Sequence, residues 1–333
     1  MESLSARVGP GHGAAIRRVR SIGRTGVAVG LSSALVLIGQ AALPTSGQAA
    51  AAAKTASHSS SRDTAATNKA LVLKFNEVLF DNPGLDPAQI PGIVAQYTTT
   101  SYKEHNPTVA DGQAGLIGLV TFLHKVIPTS RMYVQRAIAQ GNLVLLQSHA
   151  VPVPGAPGQS IIDIFRVDHG LIAEHWDNIE NVPAATANGH DLFSTQSSPQ
   201  TSDPDPSVST AGSELVVAAY LYDLVHHGLS AVDRFVAPNV YQHDPLIADG
   251  TAALKAYYTG VYAASPKAII TVARVVAEGD LVAVHYHFQK DPSDLGQSVV
   301  DIYRVRNHKI VEHWDGVQDV LDPAKALNGN GMF

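Results

Sequence analysis

The chain of 333 residues contains no cysteine, and only 16% of its residues are charged. The absence of cysteine excludes disulfides, thiolate metal ligands, a cysteine nucleophile and a lipid anchor on cysteine. The formal net charge of −6 gives no sign of the basic surface that nucleic-acid binding requires, so we expect no nucleic-acid partner. The sequence also lacks a glycine-rich phosphate loop and a Gly-x-Ser-x-Gly elbow, which argues against nucleotide enzymes and serine hydrolases.

The N-terminal segment has the composition of an export signal. Within residues 1–48 an arginine-rich part comes first, the apolar residues 26–43 follow, and small residues end the segment. This order predicts a cleaved signal, and the Ala/Ser/Thr-rich residues 49–68 predict a flexible tether behind it. We therefore expect a secreted protein with no stable membrane span after cleavage. The alternative is an uncleaved membrane anchor, which the short and interrupted apolar run disfavours.

The rest of the chain is a tandem duplication. His105 recurs as His243, an offset of 138 residues, and no gap is needed from residue 105 to residue 182. Besides these histidines, the matched pairs include Arg136 and Arg274, Gly141 and Gly279, His149 and His287, Asp163 and Asp301, and Trp176 and Trp314. We therefore predict two related domains, residues 69–193 and 214–333. The Ser/Thr/Pro-rich residues 194–213 between them predict a linker.

Each repeat has helical patterns followed by hairpin patterns. The spacing of apolar residues predicts helices over 69–80, 113–126, 214–226 and 251–264. Alternating strands meet at turns containing Gly141, Gly170, Gly279 and Asn307. Helices before an antiparallel meander predict an α+β fold, in which N-terminal helices cover one face of a curved sheet and leave a pocket beneath them.

Two aspartates are the main candidates for chemistry. Strand alternation places Asp163 and Asp301 on otherwise apolar faces, where a carboxylate is costly unless it is paired or used. His149 and His287 each precede their aspartate by fourteen residues, on what should be the neighbouring strand. Such a pair could move a proton, so we take all four residues as candidate catalytic groups. The alternative is a structural aspartate and a core histidine in each repeat.

Other polar and aromatic residues are candidates for ligand contact. His105 and His243 lie in loops before a helix, where a side chain can form the rim of a pocket or simply stabilise a turn. The repeated Glu-His-Trp-Asp runs add His175, Trp176, His313 and Trp314. Alternation places histidine and tryptophan on opposite faces of the strand, and core packing is the simpler interpretation of the tryptophans.

His285 introduces a competing interpretation. The spacing from Gly279 to His285 and His287 resembles the first half of a cupin metal motif. However, Asp291 stands where that family has glutamate, and the first repeat has Gln147 at the position of His285. We therefore expect no metal, and keep His285 as a candidate ligand contact.

Taken together, these motifs resemble those of the SnoaL-like family, within the nuclear-transport-factor-2-like and ketosteroid-isomerase-like superfamily. The first repeat carries Tyr-x-x-His-Asn-Pro at 102–107, Ile-Asp-Ile-Phe-Arg at 162–166 and Glu-His-Trp-Asp at 174–177. The second repeat carries the same series, with Tyr241 one residue nearer to His243 and Asp244 in place of asparagine.

The resemblance implies two cone-shaped α+β barrels that pair through their sheets as an intramolecular pseudo-dimer. Family members named as polyketide cyclases catalyse an aldol condensation without metal or cofactor, using an aspartate and a histidine fourteen residues before it. Asp163 with His149, and Asp301 with His287, match that pattern. On this basis we expect no cofactor.

Three functions are consistent with these residues. The first is cofactor-free acid/base catalysis, of the aldol-condensation or isomerase type, on a small carbonyl compound. The second is a non-catalytic module that binds a small apolar ligand. The third is a structural or interaction role, in which the repeated polar residues serve only as hydrogen-bonding groups in the core.

Overall fold

The protein consists of two similar α+β units in tandem, as the sequence predicts. The computed structural model describes residues 27–29 and 49–333, with side chains from residue 64 onward. The first unit comprises helices α1 (Ala49–Leu79), α2 (Ile90–Tyr97) and α3 (Gly112–Val126), and strands β2 (Thr98–Glu104), β3 (Arg131–Gln140), β4 (Leu143–Val151), β5 (Gln159–Asp168) and β6 (Leu171–Asn181). The second comprises α4 (Thr210–Val225), α5 (Ser230–Phe235), α6 (Thr251–Ala264), β7 (Val236–Gln242), β8 (Ala268–Glu278), β9 (Leu281–Gln289), β10 (Gln297–Arg306) and β11 (Lys309–Asp319). Short 3-10 helices lie at Pro87–Gln89 and Pro323–Lys325.

Each unit has a mixed five-stranded sheet of the same order. The first sheet runs β2-β6-β5-β4-β3, and the second runs β7-β11-β10-β9-β8. The hairpin strands are antiparallel, whereas β2 and β7 each run parallel to the last strand of their own unit. A further strand, β1 (Val27–Val29), pairs in parallel with β8 at the edge of the second sheet. The sequence patterns do not predict β2 and β7.

The hairpin turns agree with the sequence prediction. Gly141 and Gly279 have φ values of +58° and +59°, and the pair Asn307-His308 has φ values of +48° and +59°. Positive φ in a two-residue turn matches the right-handed twist of the adjoining strands. These local turns pair β3 with β4, β8 with β9 and β10 with β11.

The helices cover one face of each sheet and form its main core. In the first unit Phe75 and Val120 of the helices pack with Leu146 and Phe165 of the sheet. In the second unit Tyr220 takes part in the equivalent cluster, which includes Leu254, Val284 and Tyr303. This arrangement confirms the predicted pair of cone-shaped α+β folds.

The first helix begins earlier than predicted. The sequence places a flexible tether at residues 49–68, but α1 starts at Ala49 and runs through that segment. Its alanines are strong helix formers, and Ala65 and Asn68 are buried against the domain. Asn68 Nδ2 also donates to the carbonyl oxygen of Gly141 at 3.0 Å. The end of the predicted tether is therefore part of the first unit.

The N-terminal export signal predicted for residues 1–48 lies outside the described residues, except for β1. Of the helices that the structure describes, none combines the length and the apolar character needed to cross a membrane.

The uncovered faces of the two sheets pack against each other. Ile138, Ile162 and Ile164 of the first sheet meet Val300 and Ile302 of the second in one apolar cluster. Polar groups cross the same interface, since Asn178 Nδ2 donates to the carbonyl oxygen of Ser298 at 2.7 Å. Each sheet is therefore buried on both faces.

The segment that follows the last strand of each unit crosses over to the other unit. We call these two segments the tails. The first tail, residues 186–194, places Asn188 Nδ2 at 2.7 Å from the carbonyl oxygen of Asp244. The second tail, residues 327–333, places Asn328 Nδ2 at 2.6 Å from the carbonyl oxygen of Asn106. Each tail thus holds the loop that follows the first strand of the opposite unit.

The predicted linker has no regular structure before α4, but it is held in place. Ser197 is buried and its hydroxyl donates to Glu312, while the amide of Asp205 donates to Asp280 Oδ1 at 2.7 Å. Helix α4 begins within the predicted linker, at Thr210, where Ser209 caps it by accepting from the amide of Gly212.

Candidate functional site

Strand register determines which polar residues face the helix-covered interior. Asp163 pairs with Leu146 on β4 and with Asp177 on β6, and Leu146 belongs to the interior core. His175 pairs with Phe165, which lies two residues from Asp163 on the same face. Asp163, His175 and Asp177 therefore share the interior of the first unit.

In the first unit these residues form a buried network around His175. Its Nδ1 lies 2.9 Å from Glu104 Oε1, and its Nε2 lies 2.9 Å from Asp163 Oδ1. Glu104 also accepts from the Tyr102 hydroxyl at 2.8 Å. Asn106 Nδ2 donates to Asp177 Oδ2 at 2.6 Å. The aromatic ring of Phe165 stacks on His175 at 4.8 Å and covers it.

The electrostatics of this network are unusual. Burial disfavours the charged imidazole, but the carboxylates of Glu104 and Asp163 outweigh it and hold the pKa of His175 well above its usual range. Burial, with the nearby charges of Asp163 and Glu104, raises the pKa of Asp177 to about 7. The pKa of Glu104 is lowered despite its burial, because His175 and the Asn106 amide stabilise its anion.

In the second unit the equivalent residues are arranged differently. His313 Nδ1 contacts Gln242 Oε1 at 2.8 Å, and its Nε2 lies 3.4 Å from Asp301 Oδ1. Asp301 Oδ2 accepts from the hydroxyls of Tyr303 at 2.7 Å and Tyr286 at 3.1 Å. The first unit has Glu104, Phe165 and Ser148 at the positions of Gln242, Tyr303 and Tyr286.

The interior of the second unit opens into a large cavity. Its volume is about 1160 Å³, and its lining includes Asp301, His313 and Asp315 together with Val284, Val299 and Tyr258. Leu215 and Tyr222, which are 54% and 48% exposed, also line it, so the cavity reaches the solvent. A volume of this size accommodates a drug-sized ligand.

The predicted histidine–aspartate pairs are not formed. His149 lies three residues from Leu146, the partner of Asp163, so it points to the opposite face of the sheet. Its Nε2 contacts the carbonyl oxygen of Pro157 at 2.8 Å, and its ring stacks on Phe193. His287 is placed in the same way, with its Nε2 on the carbonyl oxygen of Leu295 and its ring on Phe333. Both histidines therefore lie beside the tails and not beside their aspartates.

His105 and His243 also contact the tails, instead of forming a pocket rim. His105 Nδ1 lies 2.9 Å from the carbonyl oxygen of Gly331, and His243 Nδ1 lies 2.6 Å from that of Asp191. Their rings stack on Trp176 and Trp314 respectively. Neither histidine is among the residues that line the cavity of the second unit.

The tryptophans and His285 lie between the two sheets. Trp176 and Trp314 belong to the apolar cluster between the sheets. His285 is held by Arg274 and by Ser298 Oγ at 2.9 Å, on the sheet face opposite to Asp301. Of the predicted ligand contacts, only His175 and His313 face an interior.

Sequence reasoning missed the groups that actually contact the aspartates. Tyr286 and Tyr303 are nearest to Asp301, and Glu104 shares His175 with Asp163. A signal was present for Tyr286, because it is adjacent to His287 and therefore occupies the opposite strand face. For Glu104 the only signal was the Glu-His-Asn-Pro run, since its strand was not predicted.

A family model described as SnoaL-like domain matches residues 217–313. No curated protein sequence matches the chain.

Solved structures similar to parts of the chain include three single proteins. An NTF2-like protein of unknown function from Mesorhizobium loti is 15% identical, covering 34% of this chain and 97% of that one, with a TM-score of 0.30. A SnoaL-like polyketide cyclase from Agrobacterium tumefaciens is 16% identical, covering 32% and 91%, with a TM-score of 0.29. TsrD from Streptomyces laurentii is 17% identical, covering 33% and 91%, with a TM-score of 0.28.

The family match lies wholly within the second unit, from α4 to β11. The first unit repeats its sequence pattern at a constant offset and has the same order of strands. Residues 217–313 of this chain thus form a SnoaL-like domain, within a tandem of two related α+β units.

Proposed function

We propose that the second unit binds a small apolar carbonyl compound and catalyses proton transfer at the carbon next to its carbonyl group. The observation that carries this proposal is the position of Asp301 and His313 on the wall of an open apolar cavity of about 1160 Å³. Such a pocket, with a few convergent polar groups, is typical of an active site.

Each polar group has a defined part in this reaction. Asp301 accepts the proton as the carbon–hydrogen bond breaks, and the electron pair moves to the carbonyl oxygen to give an enolate. Tyr286 and Tyr303 hold one oxygen of Asp301, and the other oxygen lies 3.4 Å from His313 Nε2. Returning the proton to another carbon gives an isomer, whereas attack of the enolate on a second carbonyl gives a carbon–carbon bond.

The Tyr258 hydroxyl can stabilise the enolate. Its oxygen lies 3.3 Å from the hydroxyl oxygen of Tyr220, and Tyr258 lines the cavity. Burial, with Tyr220 and Asp301 nearby, raises its pKa well above the usual value, so the hydroxyl remains a donor. A neutral donor near the developing negative charge lowers the barrier to proton abstraction.

A second function, ligand binding without turnover, is favoured by a different observation. The two tyrosine hydroxyls already donate to one oxygen of Asp301, and its other oxygen faces His313 Nε2 at 3.4 Å. A carboxylate satisfied in this way can serve as a fixed acceptor in the pocket wall, and does not have to act as a base.

The test measures deuterium exchange at the carbon next to the carbonyl of small cyclic and aromatic ketones, by NMR with the full chain. We expect exchange in the wild type and its loss in Asp301→Asn. The matched control, Asp163→Asn in the first unit, should leave exchange unchanged. Ligand-induced thermal shifts in a wild-type protein that shows no exchange would instead support the binding module. Neither exchange nor thermal shifts with any ketone would contradict both functions.

We also propose that this site works outside the cytoplasm. The support is the charged, apolar and small-residue order of residues 1–48. N-terminal sequencing of protein recovered from the culture medium should give a start near residue 49. Intact chain retained in the cytoplasm would refute export, and intact chain in membranes would indicate an anchor.

A further inference from the structure

The interior of the first unit concentrates negative charge. We define the Glu104 cluster as Glu104, Asp163, His175 and Asp177. The three carboxylates are at most 9% exposed, and their hydrogen bonds and ion pairs come from Tyr102, Asn106 and His175. His175 is the one basic side chain among these three buried carboxyl groups, and burying carboxyl groups without positive partners is costly in a protein interior.

Three members of the Glu104 cluster converge on one point. One ligand atom each from Asp163, His175 and Asp177 lies within 4.8 Å of the others. Asp177 has an oxygen free to bind a metal. Asn106 Nδ2 donates to its Oδ2 at 2.6 Å, whereas its Oδ1 is buried without a hydrogen-bond partner. A buried oxygen left without a partner indicates that a further group belongs there.

The fourth member, Glu104, supports the imidazole from behind. Its carboxylate contacts His175 Nδ1 at 2.9 Å, which fixes the ring and directs Nε2 toward the two aspartates. Glu104 is itself held by the Tyr102 hydroxyl and by the amide of Asn106. A carboxylate on the far nitrogen of a histidine is the usual outer-shell arrangement around a metal ligand.

We propose that the first unit binds one divalent transition-metal cation through His175 Nε2, Asp163 and Asp177. One imidazole nitrogen with two carboxylates suits zinc, manganese or ferrous iron. Binding replaces the contact between His175 and Asp163, and releases to solvent the proton carried by Nε2. The cation supplies the positive charge that the Glu104 cluster lacks.

The second unit does not have the same donor set. Gln242 replaces Glu104, so the carboxylate behind the histidine is lost, and Tyr286 and Tyr303 occupy one oxygen of Asp301. The metal site is therefore specific to the first unit. It is separate from the proposed catalytic site. It is also separate from the cupin-like motif at His285, which lies in the second unit.

The test is a calorimetric titration of the untagged, chelator-treated full chain with Zn²⁺ and with Mn²⁺. We expect one saturable ion per chain, released protons, and at least a 100-fold loss of affinity in Asp177→Asn. Glu104→Gln, which copies the second unit, should weaken binding about 10- to 100-fold without removing the ligands. The matched control, Asp315→Asn, should bind as the wild type does.

A cobalt titration gives a readout independent of folding changes. Co²⁺ bound by one nitrogen and two carboxylates should give a visible absorption band that is absent in Asp177→Asn, while circular dichroism confirms that the variant is folded. The absence of saturable binding to the folded wild type would overturn the proposal, and so would equal affinity in Asp177→Asn. Either result would leave the proposed function of the second unit untouched, because that depends on Asp301.

Discussion

The guanidinium of Arg274, in the second unit, lies 3.8 Å from the ring centroid of Trp176 in the first. The reciprocal contact is also present, because the guanidinium of Arg136 in the first unit lies 3.9 Å from the ring centroid of Trp314 in the second. Burial lowers the pKa of Arg274 to about 10 and that of Arg136 to about 9, so both remain cationic at neutral pH. The two units are therefore connected by a reciprocal pair of cation–π contacts.

The first prediction concerns the energy of this contact. In a double-mutant cycle of Arg274→Met and Trp176→Leu, we expect a coupling energy of about 1–2 kcal/mol, since the pair is largely removed from water. Urea unfolding of the four proteins measures it. The pair Arg234 and Phe235, which lies 5.2 Å apart with a half-exposed arginine, is the control and should couple by less than about 0.5 kcal/mol. Equal coupling in both pairs would contradict the prediction.

The second prediction follows from the crossed tails. Asn328→Ala removes two bonds to the loop at Asn106 and Val109, so amide exchange should accelerate in peptides covering residues 104–112. Asn188→Ala should instead accelerate exchange in residues 242–250. Hydrogen exchange with mass spectrometry distinguishes the two patterns. Acceleration confined to the unit that carries the mutation would show that the tails do not cross over to the other unit in solution.

The third prediction is a pH dependence of stability. Burial, with the charge of Arg274 nearby, lowers the pKa of His285 to about 3, against 6.5 in an unfolded chain. The unfolded chain therefore binds the proton more readily, so this stabilisation is complete above about pH 6.5 and is lost as the pH falls toward 3. The loss approaches roughly 1.4 kcal/mol per pH unit in that window.

The first unit supplies the matched variant for that measurement, because Gln147 stands at the position of His285. His285→Gln should lose less stability between pH 6.5 and pH 4 than the wild type, as measured by urea unfolding at each pH. Parallel pH profiles for the two proteins would contradict the assignment.

The fourth prediction concerns the partners of Asp301. Tyr303→Phe copies Phe165 of the first unit but removes a buried hydroxyl that donates to a carboxylate at 2.7 Å. We expect a loss of about 1–3 kcal/mol in the free energy of unfolding. Tyr222→Phe, at a half-exposed position, should change it by less than about 0.5 kcal/mol. A Tyr303→Phe variant as stable as the wild type would show that the bond contributes little.

Local patterns in the sequence predict much of the fold. Alternating strands and glycine turns, such as the one at Gly141, predict the hairpins, because turn geometry depends on neighbouring residues only. The constant offset between His105 and His243 predicts the duplication. The helices at 113–126 and 251–264 agree with α3 and α6 to within one residue. Strands β2 and β7 were missed because their parallel partners lie far away in the chain.

Tertiary structure decided which of the repeated polar residues meet. Alternation predicts the two faces of each strand, but only the register across strands sets Asp163 opposite Leu146 and places His149 on the far face. The same register brings Tyr286 to Asp301. Carbonyl oxygens of the crossed tails contact the imidazoles of His105 and His243. The sequence by itself determined two related α+β units with repeated Asp, His and Trp. Contacts between distant segments decided which of these face an interior, because a shift of one residue in register reverses every side chain.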